Sequence, residues 1–347
     1  MQASARAAGA LYGLAIGDAL GMPTQSLPRS QIAARYGSLL STFQDAPADH
    51  PVAAGMRAGS VTDDTEQAVL LAQVMIEHGG RPDPADLARR LLSWEESMRA
   101  RGSHDLLGPS TKQAVSALLA GADPGQAGRN GTTNGAAMRI TPVGIATPCA
   151  DLDVLVDRVV EASRATHNTS VALAGAAAVA AAVSAGVDGA APADAIRVAV
   201  AAAERAAGRG HWVAAADVAS RITWATGLAA GLSTSGVIDV VGRLVGTSLA
   251  TQESVPAAFA VVAASPDNPW LSCRTAASLG GDCDTIAAMA GAIGGACHGA
   301  GAFPDSARHT ITRVNDLGLD ELAGALLTLR AAMVSRPAAA VAAEPDL

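Results

Sequence analysis

Residues Val171 to Val187 read VALAGAAAVAAAVSAGV, and Thr285 to Pro304 read TIAAMAGAIGGACHGAGAFP. Neither stretch carries a Lys, Arg, Asp or Glu, and each approaches the roughly 20 apolar residues that span a bilayer. Both are built of Ala and Gly rather than Leu, Ile and Phe, and the second contains His298. Runs of this kind predict helices that are apolar all round because they lie inside a many-helix protein, where small residues let backbones approach closely. Outward from them the texture stays helical. Thr65 to His78, Pro84 to Met98, Leu152 to Ala165, Ala191 to Ala207 and Leu319 to Ser335 repeat apolar residues at i, i+3, i+4 and i+7. Asp83-Pro84 and Pro192-Ala193-Asp194 supply helix starts, and alternating β-branched runs are scarce. The expectation is an all-α, compact multi-helix domain over residues 1–335, with Arg336 to Leu347 as a loose Ala/Pro-rich tail.

Composition narrows the function. Half of the 347 residues are hydrophobic and 16% are charged, so the chain has enough apolar surface to offset the entropy of ordering. A net charge of −8 and 3% aromatic residues argue against bulk nucleic acid, which needs cationic surface and stacking platforms. Arg6 and the apolar run behind it look superficially like a leader. Asp18 interrupts that run and no small-residue cleavage pattern follows, which argues against export. Cys149, Cys273, Cys283 and Cys297 show no CxxC pair and are expected as small buried thiols in a reduced, cytoplasmic setting, with no membrane partner.

Four polar islands interrupt the alanine background. They are Gly17-Asp18-Ala19-Leu20-Gly21 with Gln25 just beyond; Thr62-Asp63-Asp64-Thr65-Glu66; Asn130 to Arg139, with Thr166-His167-Asn168 further on; and Gly281-Asp282-Cys283-Asp284-Thr285. Asp18, between glycines, is expected in a turn with a scaffold role. The two acidic islands offer carboxylate and hydroxyl oxygens, the donors that Mg²⁺ or Mn²⁺ prefer. Two such ions would offset four Asp charges, and a metal pair about 3.5–4 Å apart is a common arrangement for activating water. Each island is also how an ordinary helix begins, with a cap and acids at the positive end of the dipole. Spacing alone does not bring together residues so far apart in the chain.

These motifs, in this order, resemble the ADP-ribosylglycohydrolase family, which includes dinitrogenase reductase-activating glycohydrolases, ADP-ribosyl-acceptor hydrolases and certain lens crystallins. The resemblance runs from Ala8 to Ala332. It implies a single all-α domain with two divalent cations, Mg²⁺ or Mn²⁺, at the base of a cleft, held by Thr62, Asp63, Asp64, Asp282, Asp284 and Thr285. It implies substrate contacts from Gly131, Thr133, Asn134, Gly135 and His167, and from Ser110 in the Leu107-Gly108-Pro109-Ser110-Thr111-Lys112 motif of a bacterial branch.

Two departures bear on chemistry. Where many members carry Glu, this chain has Gln25, which can hydrogen-bond but cannot act as a general base. The carboxylate of a common Asp-Ile-Gly segment is displaced by one position, to Asp105. The implied reaction is metal-assisted hydrolysis at the anomeric carbon of a ribosyl, nucleoside or ADP-ribosyl substrate, an ADP-ribosylated protein included. Asp63, Asp64, Asp284 and Gln25 stand as the catalytic candidates. The alternatives are a non-catalytic ligand-binding or structural relative and a two-metal phosphoester hydrolase.

Overall fold

In a computed structural model, which describes residues 2–100 and 107–335, the chain forms eighteen α-helices, a π-helical segment Val241–Val245 and a 3₁₀ turn, with no β-strand among the described residues. Asp105 and the 336–347 tail lie outside the described residues. The periodic runs become helices Asp63–Glu77, Pro84–Ala100, Leu152–Ser163, Pro192–Ala206 and Leu319–Val334. Local chemistry sets several starts: Asp83 accepts from the Asp86 amide at 2.7 Å, and the Thr169 hydroxyl accepts from the Ala172 amide at the head of Ser170–Val187.

Ser170–Val187 is long and apolar enough to cross a membrane, and it is 94% buried inside the fold. It packs against Pro192–Ala206 and Cys283–His298. The most extensive helix contact is elsewhere, between the first helix, Gln2–Gly21, and Cys283–His298, which run antiparallel. Gly9, Gly13, Gly17 and Gly21 lie four apart, one turn each, and face Gly295, Gly291, Ala287 and Asp284 in turn. A Cβ on Gly13 would sit 2.0 Å from the Gly291 carbonyl oxygen, and one on Gly295 would sit 1.9 Å from that of Gly9. The two backbones therefore touch along the seam, where many small dispersion contacts replace bulky side chains. Asp18 belongs to this helix, which continues to Gly21, so the expected turn is corrected: its glycines are seam residues, not breakers. The seam carries Asp18 alongside the start of Cys283–His298, where the second acidic island lies.

A candidate metal centre and its cleft

Thr62 and Asp282 both occupy the position just before a helix, yet neither side chain makes a capping hydrogen bond. The Thr62 hydroxyl turns instead to Asp18 and Asp64, and the Asp282 carboxylate to Asn134. The Asp18 carboxylate is fully buried and accepts from the Thr62 amide at 3.0 Å, the Thr62 hydroxyl at 2.8 Å, the Thr65 amide at 3.1 Å and the Thr65 hydroxyl at 2.5 Å. That matches the scaffold role expected for it, because those bonds fix the head of helix Asp63–Glu77. From there Asp64 reaches the far island: the Thr285 hydroxyl lies 3.2 Å from Asp64 Oδ2, a bond between residues 221 positions apart.

Among the described residues, hydrogen-bond donors are scarce at this meeting point. The Thr62 hydroxyl lies near both Asp18 and Asp64, and its single proton favours the nearer Asp18. Asp64 is 0% exposed and Asp284 2%, and Oδ1 of each is buried without a partner. Burial raises the pKa of both well above the ordinary carboxylate range, and repulsion raises it further, first from Asp284 on Asp64 and from Asp282 on Asp284. Burial likewise raises Asp18 and Asp282 to about 6. An isolated buried charge costs several kcal/mol unless a proton or cation joins it. The oxygen donors thus fit a hard cation. The thiol between them does not compete: Cys283 turns to the Thr24 hydroxyl at 3.3 Å, and burial holds its pKa at about 12. Among the described residues no three His, Cys, Asp or Glu side chains already converge as a ligand cluster. The two islands meet as neighbours, with their carboxylates apart.

A cleft of about 610 Å³ opens above them, a size suited to a small organic ligand. Asp63, Asp282, Asp284 and Thr285 form its floor, and Gln25, Thr133, Asn134 and Gly135 its walls. The Asn134 amide donates to Asp282 at 2.5 Å and to Ser254 at 2.9 Å, so the glycine-rich loop is tied to the acidic floor. Three expected substrate contacts stand behind this surface. Ser110 is buried and does not line the cleft, whereas its neighbours Pro109 and Thr111 on helix Pro109–Leu119 do. Gly131 is pressed so close to the Thr166 carbonyl that an added Cβ would lie 2.2 Å away. His167 is fully buried, bonded through Nε2 to Thr133 at 3.0 Å and through Nδ1 to Thr166 at 2.8 Å.

Sequence reading missed the wall formed by Thr247, Ser248, Leu249 and Ala250. The Thr247 carbonyl accepts from the Asp282 amide at 2.8 Å, and Ala250 bridges to Thr133. Its signal was a short polar break after Gly246. Also missed was the role of Arg139, 1% exposed, which donates to Gln67 at 3.0 Å and to Thr166 at 2.5 Å. Burial lowers its pKa to about 10.

Burial, aided by the Arg139 charge, also holds His167 neutral, its pKa well below the usual imidazole range. The unfolded chain takes up a proton at this histidine below about pH 6.5 and the folded chain does not, so this residue makes stability fall as pH falls through that value, by up to ~1.4 kcal/mol per pH unit. The raised carboxylates act in the opposite sense, but they cancel when wild type is compared with His167→Gln. Urea melts between pH 7 and pH 5 should show the variant losing less stability than wild type. Equal losses would show that His167 is charged in the folded protein.

The sequence model of the ADP-ribosylglycohydrolase family matches residues 1–335. A protein of Escherichia coli K12, the uncharacterised YegU, is 35% identical over 94% of this chain and 97% of its own. The ADP-ribosyl-dinitrogen reductase glycohydrolase of Rhodospirillum rubrum is 31% identical over 47% of this chain and 51% of its own. A solved structure described as an ADP-ribosylglycohydrolase-related protein complex superposes with a TM-score of 0.66 at 26% identity, covering 95% of this chain and 99% of that one.

Proposed function

The chain belongs to the ADP-ribosylglycohydrolase family, and from that premise we propose that it is a metal-dependent hydrolase cleaving the glycosidic bond at the ribose anomeric carbon of an ADP-ribosyl or related ribosyl substrate. The observation that carries the reading is the pair of buried, unpartnered carboxylate oxygens on Asp284, which lines the cleft floor, and on Asp64, which bonds the cleft-lining Thr285. Thr62, Asp63, Asp64, Asp282, Asp284 and Thr285 are the residues that would hold two ions, Mg²⁺ or Mn²⁺. When bound, these would supply Lewis-acid charge at the reacting centre and offset the carboxylates.

The chain's own groups do the rest. Asp63 faces the cleft while its Oδ2 is held by the Gln67 amide at 3.0 Å, which fixes the carboxylate so that it can orient an attacking water. Gln25 lines the same wall with Nε2 buried and unpartnered, a donor for a ribose hydroxyl but no acceptor of a proton. Proton removal therefore falls to the aspartates. Thr133 and Asn134 line the cleft where the remainder of the ligand would extend.

The test is a panel of ADP-ribosylated arginine and serine peptides, ADP-ribose and nucleosides, incubated with Mg²⁺ or Mn²⁺ and with chelator. Release of ADP-ribose or ribose, lost on chelation and restored by the ion, is the expected result. Inorganic phosphate as the sole product would move the protein to phosphoester hydrolysis, and turnover indifferent to chelator would remove the metal.

A further inference from the structure

A continuous hydrogen-bonded chain leaves the cleft at Asp63, passes through the interior and returns to the cleft at Thr133. Gln67 Nε2 donates to Asp63 Oδ2 at 3.0 Å, Arg139 Nη1 donates to Gln67 Oε1 at 3.0 Å, and Arg139 Nη2 donates to Thr166 Oγ1 at 2.5 Å. Thr166 Oγ1 lies 2.8 Å from His167 Nδ1, and His167 Nε2 lies 3.0 Å from Thr133 Oγ1. Gln67, Arg139, Thr166 and His167 are all buried. A guanidinium in that position, with Nε–H unpartnered and, among the described residues, no carboxylate in direct contact, is costly to bury. Packing alone does not account for it.

Arg139 is the only member of the chain that can donate and never accept, so it sets the direction of every bond. On one side it holds the Gln67 carbonyl toward itself and turns the amide NH₂ toward Asp63. Asp63 Oδ2 is thereby held by a neutral donor from within the fold. On the other side it occupies a lone pair of Thr166, whose own proton has two acceptors in view: His167 Nδ1 at 2.8 Å and the Ser163 carbonyl at 3.5 Å. The shorter bond wins, because 3.5 Å lies beyond a normal O–H···O distance. Nδ1 is therefore the acceptor, and the proton of the neutral ring resides on Nε2, which donates to Thr133. The Thr133 hydroxyl, with its lone pair engaged, keeps its own proton for the cleft it lines.

We infer that Arg139 is a positioning residue which, through Thr166, fixes the Nε2–H tautomer of His167 and so makes Thr133 a hydrogen-bond donor to an oxygen acceptor of the ligand, such as a phosphate or ring oxygen. The ligand class rests on the glycohydrolase reading above; the tautomer does not.

Two measurements separate them. Nitrogen NMR of protein labelled with ¹⁵N-histidine, assigned by difference from His167→Gln, should show the Nε2–H tautomer at His167. Thr166→Val should convert it to a mixture or to Nδ1–H, and Thr166→Ser should restore it. Arg139→Gln, where it folds, should also mix the tautomers. Titration calorimetry of ADP-ribose with Mg²⁺ present should find Thr133→Val about tenfold weaker than wild type, the loss of one hydrogen bond at a desolvated site. An Nδ1–H ring in wild type, or an unchanged tautomer in Thr166→Val, overturns the positioning role. Equal affinity in Thr133→Val overturns the donor. A wild-type protein that binds no ADP-ribose removes the ADP-ribosyl ligand and the donor role assigned toward it, while the tautomer spectra still decide the part played by Arg139.

Discussion

Asp64→Asn is expected to reduce hydrolysis by about a thousandfold, roughly 4 kcal/mol of barrier, while making the chelator-treated protein more stable than wild type. The two effects share one cause. Asp64 is buried among Asp18, Asp282 and Asp284, with one oxygen unpartnered and the other drawing on hydroxyl protons contested by its neighbours. Asparagine keeps the shape and an acceptor for Thr285 while removing the charge, a change worth on the order of 1–3 kcal/mol in favour of the folded state. The pH dependence has a definite sign. A carboxyl whose folded pKa is raised costs nothing below its unfolded value near 4 and destabilises increasingly as pH rises through its folded value. The advantage of the variant should therefore be absent below about pH 4 and largest at neutral pH and above. Mg²⁺ or Mn²⁺ should raise the melting temperature of wild type, by about 2.7 kcal/mol of stability at a hundred times the dissociation constant, and leave the variant nearly unmoved. Asp18→Asn is the internal control: its carboxylate is satisfied by four donors from Thr62 and Thr65, so this substitution should destabilise. If Asp64→Asn melted below wild type and responded equally to the ions, Asp64 would be scaffold and the centre would lie elsewhere.

How much of this was legible depended on range along the chain. Helix periodicity is local, so the expected Thr65 to His78 and Leu319 to Ser335 differ from the observed Asp63–Glu77 and Leu319–Val334 only at their ends. The meeting of Asp64 with Thr285 is not local, and no spacing rule contains it; resemblance to a family supplied that step. Asp18 was misplaced because glycine was taken as a breaker. The same glycines at 9, 13, 17 and 21 have a period of four, which on a helix is a stripe and calls for another smooth surface opposite, such as the one with Gly291 and Gly295. Side-chain direction was the other gap. Ser110 and His167 are buried close to the cleft without lining it, His167 standing behind Thr133, and a motif match does not encode that choice. Gln67 and Arg139 lie at the ends of two polar islands, but the bond that joins them spans 72 positions, and no local pattern encodes it.

Gly13→Ala tests the seam itself, and one added methyl group should cost on the order of 4–5 kcal/mol, with soluble folded protein lost at 37 °C. The new Cβ would lie 2.0 Å from the carbonyl oxygen of Gly291 and 2.6 Å from its carbonyl carbon. Both atoms are backbone inside a helix buried on all sides, so no rotamer change relieves the clash; the helices must separate, and every contact along Gln2–Gly21 weakens with them. Gly291→Ala should do the same from the other side, its Cβ meeting the Gly13 carbonyl oxygen at 2.0 Å. The opposite sign is expected at Gly227 and Gly324, which lie within helices Val218–Ala229 and Leu319–Val334 with nothing within 4 Å of an added Cβ. There alanine should stabilise by about 0.5–1 kcal/mol through reduced freedom of the unfolded chain. Thermal melts of the four variants decide the matter, because helix propensity alone predicts a gain at every one of them. Only direct backbone contact reverses the sign at 13 and 291, and if Gly13→Ala melted with Gly324→Ala, the two helices would stand farther apart. The same separation would draw Asp18 away from Asp284, so any folded fraction of Gly13→Ala should also lose its melting response to Mg²⁺ or Mn²⁺.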